Sequence, residues 1–135
     1  MDITKMTEGE FLCDGNRELH SPKPTSPDDF LPLLQEIGYD YERNLPNSAY
    51  ELHRVRNQPG DVVLVHSGHV VGLYFGDVLT IDGNHQGCGL STPLVLSAIP
   101  HRSAPTDRKV TDDGLRALRS AWKVAHGLKA SPWWP

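Results

Sequence analysis

The sequence has few of the residues that hold small proteins together covalently or through metals. It contains only two cysteines, Cys13 and Cys88, and its seven histidines form no HxxxH spacing. Two cysteines do not make a disulfide framework, and without CxxC or HxxxH spacings the sequence predicts no metal site. A chain of 135 residues can bury roughly two thirds of its unfolded surface, so we expect it to fold without such supports.

Excess positive charge and long apolar runs are also missing. The formal net charge is -4 and the pI is near 5.9. Nucleic acid is therefore not an expected partner, because such binding depends on neutralising phosphates with Lys and Arg. No apolar run approaches membrane-spanning length, and residues 1–15 lack the apolar region of a signal peptide. We expect no membrane partner and a cytoplasmic location.

The first part of the chain divides into an arm and a helix. Residues 1–25 hold few apolar residues, so we expect an irregular N-terminal arm followed by a single α+β domain over residues 26–135. Ser26 can cap a helix, and Pro27 suits the first helical position. The helix would carry an apolar stripe made of Phe30, Leu33, Leu34 and Ile37.

Three short runs rich in β-branched residues lie in the centre of the chain. They cover residues 62–65, 69–75 and 78–81, and hairpin-length breaks separate them. This spacing predicts a central antiparallel β-meander flanked by helices. The preceding residues 39–55 are ambiguous, because they suit either a broken helix or a loop that leads into a strand.

Two further helices are predicted after the meander. Residues 91–99 are mostly apolar and suggest a short buried helix. From Thr111, a capping residue, the chain shows the 3.6-residue periodicity of an amphipathic helix. Its apolar positions are Leu115, Leu118, Trp122, Ala125 and Leu128. Beyond it, we expect Trp133 and Trp134 to fold back onto the core.

The loop between the last strand and the short helix has the features of an anion site. Gly87 and Gly89 remove side chains that would block close approach to the backbone, and Ser91 opens the helix. Unpaired amides and the helix dipole at such a position favour a negative group. The sequence therefore predicts a phosphate cradle, although a tight strand-to-helix turn would require the same glycines.

The register around this loop resembles the pyrophosphate-binding motif of the GCN5-related N-acetyltransferases, the GNAT family. In that motif a strand written Leu-x-Val leads into Gln/Arg-x-x-Gly-x-Gly/Ala and then into a helix that carries leucines. Leu79 and Ile81 take the strand positions, and Gln86 takes the Gln/Arg position. Gly89 takes the central glycine and Ser91 the last small residue.

The resemblance covers about residues 61–99 and implies a GNAT-like fold and an acyl-CoA-binding, N-acetyltransferase-like protein. Its acyl acceptor would be a small molecule or a protein. Acetyl-CoA would be held through its pyrophosphate, with pantetheine along the open edge of the last strand. The family places a further strand after the helix, for which the sequence offers only residues 107–111. The implied cofactor-binding residues are Ile81, Gln86, Gly87, Cys88, Gly89, Leu90 and Ser91.

No catalytic residue is defined by the sequence, but two histidines are candidates. His85 lies beside the predicted cradle and could meet a phosphate or a substrate. The strands also resemble those of papain-like cell-wall peptidases, in which His69 would be the base for a cysteine hydrolase. Asp82 or Asn84 would then orient His69, and Cys13 or Cys88 would have to be the nucleophile.

Two other interpretations stay open. Because no general base is evident, the chain could be a non-catalytic protein–protein interaction domain, such as an inhibitor or adaptor with a protein partner. Residues 81–86 are also similar to the Asp-Gly-x-His-Arg turn of ParB-type nucleotide-binding domains, although Gln86 stands where the arginine would meet phosphate.

Overall fold

A five-stranded antiparallel sheet forms the centre of the protein in the computed structural model, which describes residues 1–13, 25–103 and 110–134. The strands lie side by side in chain order, so the predicted meander is confirmed and has five members rather than three. The strands are Tyr39–Asn44 (β1), Glu51–Val55 (β2), Val62–His66 (β3), His69–Phe75 (β4) and Val78–Ile81 (β5).

Helices cover both faces of the sheet, which makes the fold α+β as expected. One face packs against the helix at residues 31–37 and the turn before it, and the other face packs against the three remaining α-helices. The α-helices are Glu8–Leu12 (α1), Leu31–Ile37 (α2), Ser91–Ala98 (α3) and Asp112–Ala125 (α4). Short 3-10 helices occupy Ile3–Lys5, Pro27–Phe30, Gly83–His85 and Ile99–His101.

The predicted start of the helix at Ser26 is confirmed. The Ser26 hydroxyl accepts a hydrogen bond from the Asp28 amide, and the Asp29 carboxylate accepts one from the Ser26 amide. This capping box begins a 3-10 turn that continues directly into α2. Leu34 is fully buried against the sheet, whereas Leu33, which we expected in the same stripe, is 40% exposed.

The start of the chain is not the irregular arm that we expected. Ile3–Lys5 and Glu8–Leu12 are helical, and both Phe11 and Leu12 are fully buried in the core. The Trp122 indole on α4 donates to the Met6 carbonyl. A five-residue helix is too short to show a period in the sequence and is stabilised by such tertiary contacts. Residues 14–24 of the expected arm lie outside the described residues.

The ambiguous residues 39–55 form the strands β1 and β2, so the broken-helix alternative is wrong. Leu52 in β2 is fully buried, whereas β1 lies at the edge of the sheet and is mostly exposed on both faces. An edge strand without a buried face has no alternation of apolar and polar residues. That is why the sequence pattern of β1 did not identify it.

The helix α3 packs on the sheet at Gly72 of β4. Residues 92–98 are all buried, as the predicted buried helix requires. A Cβ on Gly72 would lie 2.8 Å from Ile81 Cδ1 and 3.3 Å from Leu94 Cδ1, so a larger residue there would require these side chains to shift. In the described parts of the chain, no helix is long and apolar enough to cross a membrane.

The amphipathic helix α4 is confirmed together with its cap. The Thr111 side chain accepts from the Gly114 amide, and Leu115 and Leu118 are buried. Leu128 lies beyond the end of the helix and is 67% exposed, so that part of the predicted stripe is wrong. Past this point the chain turns back, and both C-terminal tryptophans pack against the core as expected.

Candidate functional site

The segment between β5 and α3 is held in a conformation that only glycine adopts easily. Gly87 and Gly89 both have φ of 77°, in the left-handed region. An L-residue there costs about 1–2 kcal/mol, which explains two glycines so close together. A Cβ on Gly87 would meet no atom within 4 Å, so the space beside that residue is open.

The start of α3 leaves backbone donors without a protein partner. Its N-cap residue is Leu90, which provides no side-chain hydrogen bond. Within the described ranges, the amides of Gly87, Cys88 and Gly89 also donate to no protein atom. The first amides of a helix have no intrahelical partner. The segment therefore presents a set of amides that a ligand or water can use.

The polar side chains next to this segment serve mainly to shape it. The Gln86 side-chain amide donates to the Ile81 carbonyl at 3.0 Å, which ties the segment to the end of β5. The Asp82 carboxylate accepts from the Asn84 amide at 2.9 Å, and the Asp82 amide donates to the Val71 carbonyl of β4. These bonds give Asp82 and Asn84 a role in the turn itself.

A cluster of rings lies beside the segment. We call it the aromatic cluster; its members are Tyr50, His66, His85 and Trp133. The Tyr50 ring centroid lies 4.7 Å from that of His66, 5.6 Å from that of His85 and 5.5 Å from that of Trp133. The Tyr50 hydroxyl and His85 Nδ1 are 2.8 Å apart, which is a hydrogen-bond distance. The structure thus places His85 beside Tyr50, which directly precedes β2, and beside His66 of β3.

We call residues 86–91 the glycine segment. The aromatic cluster contacts this segment at Cys88. The Trp133 indole Nε1 donates to the Cys88 carbonyl at 2.6 Å, and the exposed Cys88 thiol lies 3.7 Å from the Gln86 carbonyl. Burial raises the pKa of the Tyr50 hydroxyl, and the nearby Cys88 thiol raises it further. Tyr50 therefore remains a protonated donor at neutral pH.

Three members of the aromatic cluster were not identified from the sequence. Tyr50 directly precedes β2, and His66 ends β3. The β2–β3 register pairs Glu51 with Val65, so one step further along the ladder Tyr50 faces His66. That signal requires β2 to be known, and the sequence left residues 39–55 ambiguous. Trp133 was expected on the core, but nothing in its spacing indicated the loop.

The residues of the papain-like interpretation are not brought together. His69 is exposed at the first position of β4, where it pairs with His66 across the hairpin. The Cys13 thiol lies against the Glu10 carbonyl. In the described part of the chain, no contact joins His69 to Cys13 or Cys88. The arrangement supplies no thiol to the imidazole that this chemistry would need.

Neither a metal-binding cluster nor a similar known protein gives further information about the function of this site. Among the described residues, no three His, Cys, Asp or Glu side chains are grouped so that they could hold a metal ion. A scan of protein families and searches of the curated proteins and of the solved structures gave no match to this chain. The site itself must therefore carry any functional proposal.

Proposed function

We propose that this chain binds an acyl-CoA through its pyrophosphate and is an N-acetyltransferase-like protein with residues 86–91 as the cradle. The observation that supports this proposal most directly is the N-terminus of α3, which has no side-chain cap and follows two glycines with left-handed φ. The amides of Gly87, Cys88 and Gly89 bond to no protein acceptor within the described residues, and the open space at Gly87 leaves room for a ligand. The order of strand, glycine segment and helix matches the GNAT motif.

The electrostatics of the segment favour a phosphate group. Backbone amides at a helix start carry a partial positive charge and donate to anions. His66 and His85 add two imidazoles, whose rings lie 5.3 Å apart beside the segment. An imidazole can donate to an anion when neutral and attracts it when protonated. A pyrophosphate would therefore find donors from both the backbone and the side chains.

The edge strand β5 would accommodate the rest of the cofactor. It pairs with β4 on one side, and on its other side no strand is present among the described residues. Apart from the Ile81 carbonyl, which accepts from Gln86, the backbone groups along that edge would pair with the amides of pantetheine. Of residues 107–111, which the sequence offers for the family's further strand, 107–109 lie outside the described residues and Thr111 is the N-cap of α4, not part of a strand.

We expect Gly87→Asp to weaken CoA binding by at least tenfold and Gly87→Asn to change it little. Asp and Asn both tolerate the left-handed region and have the same shape, so backbone strain cancels between them. Only the aspartate adds a negative charge beside the proposed phosphate site. Isothermal titration of CoA into the parent and both variants measures the difference.

The same pair of substitutions at Gly68 provides the matched control. Gly68 has φ of 78° and open space around it, but lies in the β3–β4 hairpin. Gly68→Asp should leave the CoA affinity of the parent unchanged. Equal affinities for Gly87→Asp and Gly87→Asn would contradict a cradle at this segment. No CoA binding by the parent at millimolar concentration would reject the acyl-CoA proposal itself.

A non-catalytic interaction domain is the second candidate, and strand β1 is the observation that favours it. Tyr41 is 57% exposed in the middle of this edge strand. Exposed strand edges can pair with an extended segment of another protein. Under this function, substitutions at Tyr41 rather than in residues 86–91 would weaken the binding of the partner protein. CoA would not raise the melting temperature.

A further inference from the structure

The hydrogen bond between Tyr50 and His85 can have either direction. A neutral imidazole has one N–H donor and one acceptor nitrogen, whereas a tyrosine hydroxyl has a single hydrogen to donate. Among the described residues, His85 Nδ1 is the one hydrogen-bond partner of the Tyr50 hydroxyl. If Nδ1 were the donor, the phenol hydrogen would have solvent as its acceptor. If the hydroxyl donates, Nδ1 accepts and the phenol hydrogen bonds within the protein.

We propose that Tyr50 is a positioning residue that holds His85 in the Nε2–H tautomer, so that His85 is an uncharged hydrogen-bond donor to a phosphate oxygen at residues 86–91. The proposal assigns the hydroxyl as the donor of the 2.8 Å contact with Nδ1, and the phosphate ligand rests on the proposed function. With Nδ1 occupied by the hydroxyl, the hydrogen of the neutral ring must sit on Nε2. No protein partner occupies Nε2 within the described residues, and the side chain is partly exposed.

The surroundings of His85 leave Nε2 as its available donor. The His66 ring centroid lies 5.3 Å from that of His85, and the Tyr50 hydroxyl lies 2.8 Å from Nδ1. A neutral ring whose Nδ1 accepts from the hydroxyl carries its one hydrogen on Nε2.

The tautomer can be measured without any ligand. In protein labelled with ¹⁵N at histidine, long-range ¹H–¹⁵N correlation spectra distinguish a ring nitrogen that carries hydrogen from one that does not. At about pH 8, where ordinary imidazoles are neutral, we expect a bare Nδ1 and a protonated Nε2 for His85. The His85→Gln spectrum assigns the signals by their loss. A protonated Nδ1 in the parent would overturn the inference.

Tyr50→Phe tests whether the tyrosine imposes this state. Phenylalanine keeps the ring contacts with His66 and Trp133 but removes the hydroxyl. We expect the His85 signals to move toward a mixture of tautomers while the melting temperature stays within a few degrees. Tyr41→Phe is the matched control, because it also removes one hydroxyl, and that hydroxyl bonds Asn44 rather than His85. An unchanged His85 tautomer in Tyr50→Phe would overturn the positioning role.

Binding measurements then separate the two proposals. With CoA and with inorganic pyrophosphate as probes at about pH 8, Tyr50→Phe should bind each about twofold more weakly, because only about half of the His85 rings would keep the Nε2–H tautomer and the apparent affinity falls with that fraction. Equal binding by parent and Tyr50→Phe would reject the role of His85 while the cradle stands. Absence of CoA binding by the parent would reject the proposed function, whereas the measured tautomer would still decide the assignment for Tyr50.

Discussion

At the scale of single residues, Arg102 joins three parts of the chain that lie far apart in sequence. Its Nε donates to the Gly60 carbonyl at 2.8 Å and its Nη1 to the Gly76 carbonyl at 2.7 Å. Its guanidinium lies 3.3 Å from the Asp61 carboxylate and 3.7 Å from the centroid of the Tyr74 ring. The planar fork of arginine allows it to serve several acceptors at once.

We expect Arg102→Ala to lower the free energy of unfolding by about 3 kcal/mol, because it leaves the acceptors unpaired and uncovers an aromatic face. Arg102→Lys should recover only part of this loss, since an ammonium cannot reach all the acceptors together. Chemical unfolding of both variants measures the change. Arg116→Ala, at an exposed ion pair on α4, should stay within about 0.5 kcal/mol of the parent. A similarly small effect at Arg102 would show that the contacts do not stabilise the fold.

At the scale of secondary-structure elements, the sequence predicts the strands and helices that have a clear apolar composition or lie between turn signals. Strands β4 and β5 were predicted at their observed bounds, because tight turns separate β-rich runs there. The short helix α3 was predicted from its apolar composition. The edge strand β1 and the helix α1 were not predicted, since the first buries no continuous face and the second is only five residues long. Their positions depend on tertiary contacts.

The candidate site likewise has one part that the sequence predicts and one part that it does not. The glycine segment could be recognised because a left-handed backbone requires glycine locally. The aromatic cluster could not, because it assembles residues that precede β2, end β3 and follow α4. Such non-local neighbours depend on strand register and on where the C-terminal segment returns. The sequence predicts neither once β2 is ambiguous.

The C-terminal segment allows an element-scale prediction. Trp133 donates to the Cys88 carbonyl, and in a trans peptide the next amide, that of Gly89, points the opposite way. We expect Trp133→Phe, which keeps a ring but loses the donor, to loosen this peptide and weaken CoA binding several-fold. Isothermal titration measures the loss.

Trp134→Phe is the control for this prediction. Trp134 lies under the Arg43 guanidinium, 5.0 Å from ring centroid to Cζ, and no hydrogen bond of its indole occurs among the described residues. Its replacement by phenylalanine should leave the CoA affinity unchanged. If both variants bound CoA as the parent does, the segment would have only a packing role. Equal losses in both would point to a general loosening of the C-terminus.

At the scale of the whole molecule, ionised carboxylates stabilise both the start of the chain and the free edge of the sheet. In the N-terminal helix, hydrogen bonds from Thr7 lower the pKa of Glu10. On β1, the Arg56 guanidinium lowers the pKa of Asp40, and the Arg54 guanidinium lowers that of Glu42. The exposed edge strand is thus attached to its neighbours partly by ion pairs.

These directions predict that the protein loses stability in acid. A carboxyl whose pKa is lower in the folded state adds stability that is present above its unfolded pKa, 4.5 for Glu42, and is lost as the pH falls through the folded value. We therefore expect the free energy of unfolding to be steady near neutral pH and to fall below about pH 4.5.

Glu42→Gln removes the titrating group, so this variant should lose less free energy of unfolding between neutral pH and about pH 3 than the parent does. Glu36→Gln is the control, because Glu36 is exposed on α2 and forms no ion pair with the described residues. Urea unfolding at both pH values measures the difference, and an equal acid loss in parent and Glu42→Gln would show that the edge ion pair does not couple folding to protonation.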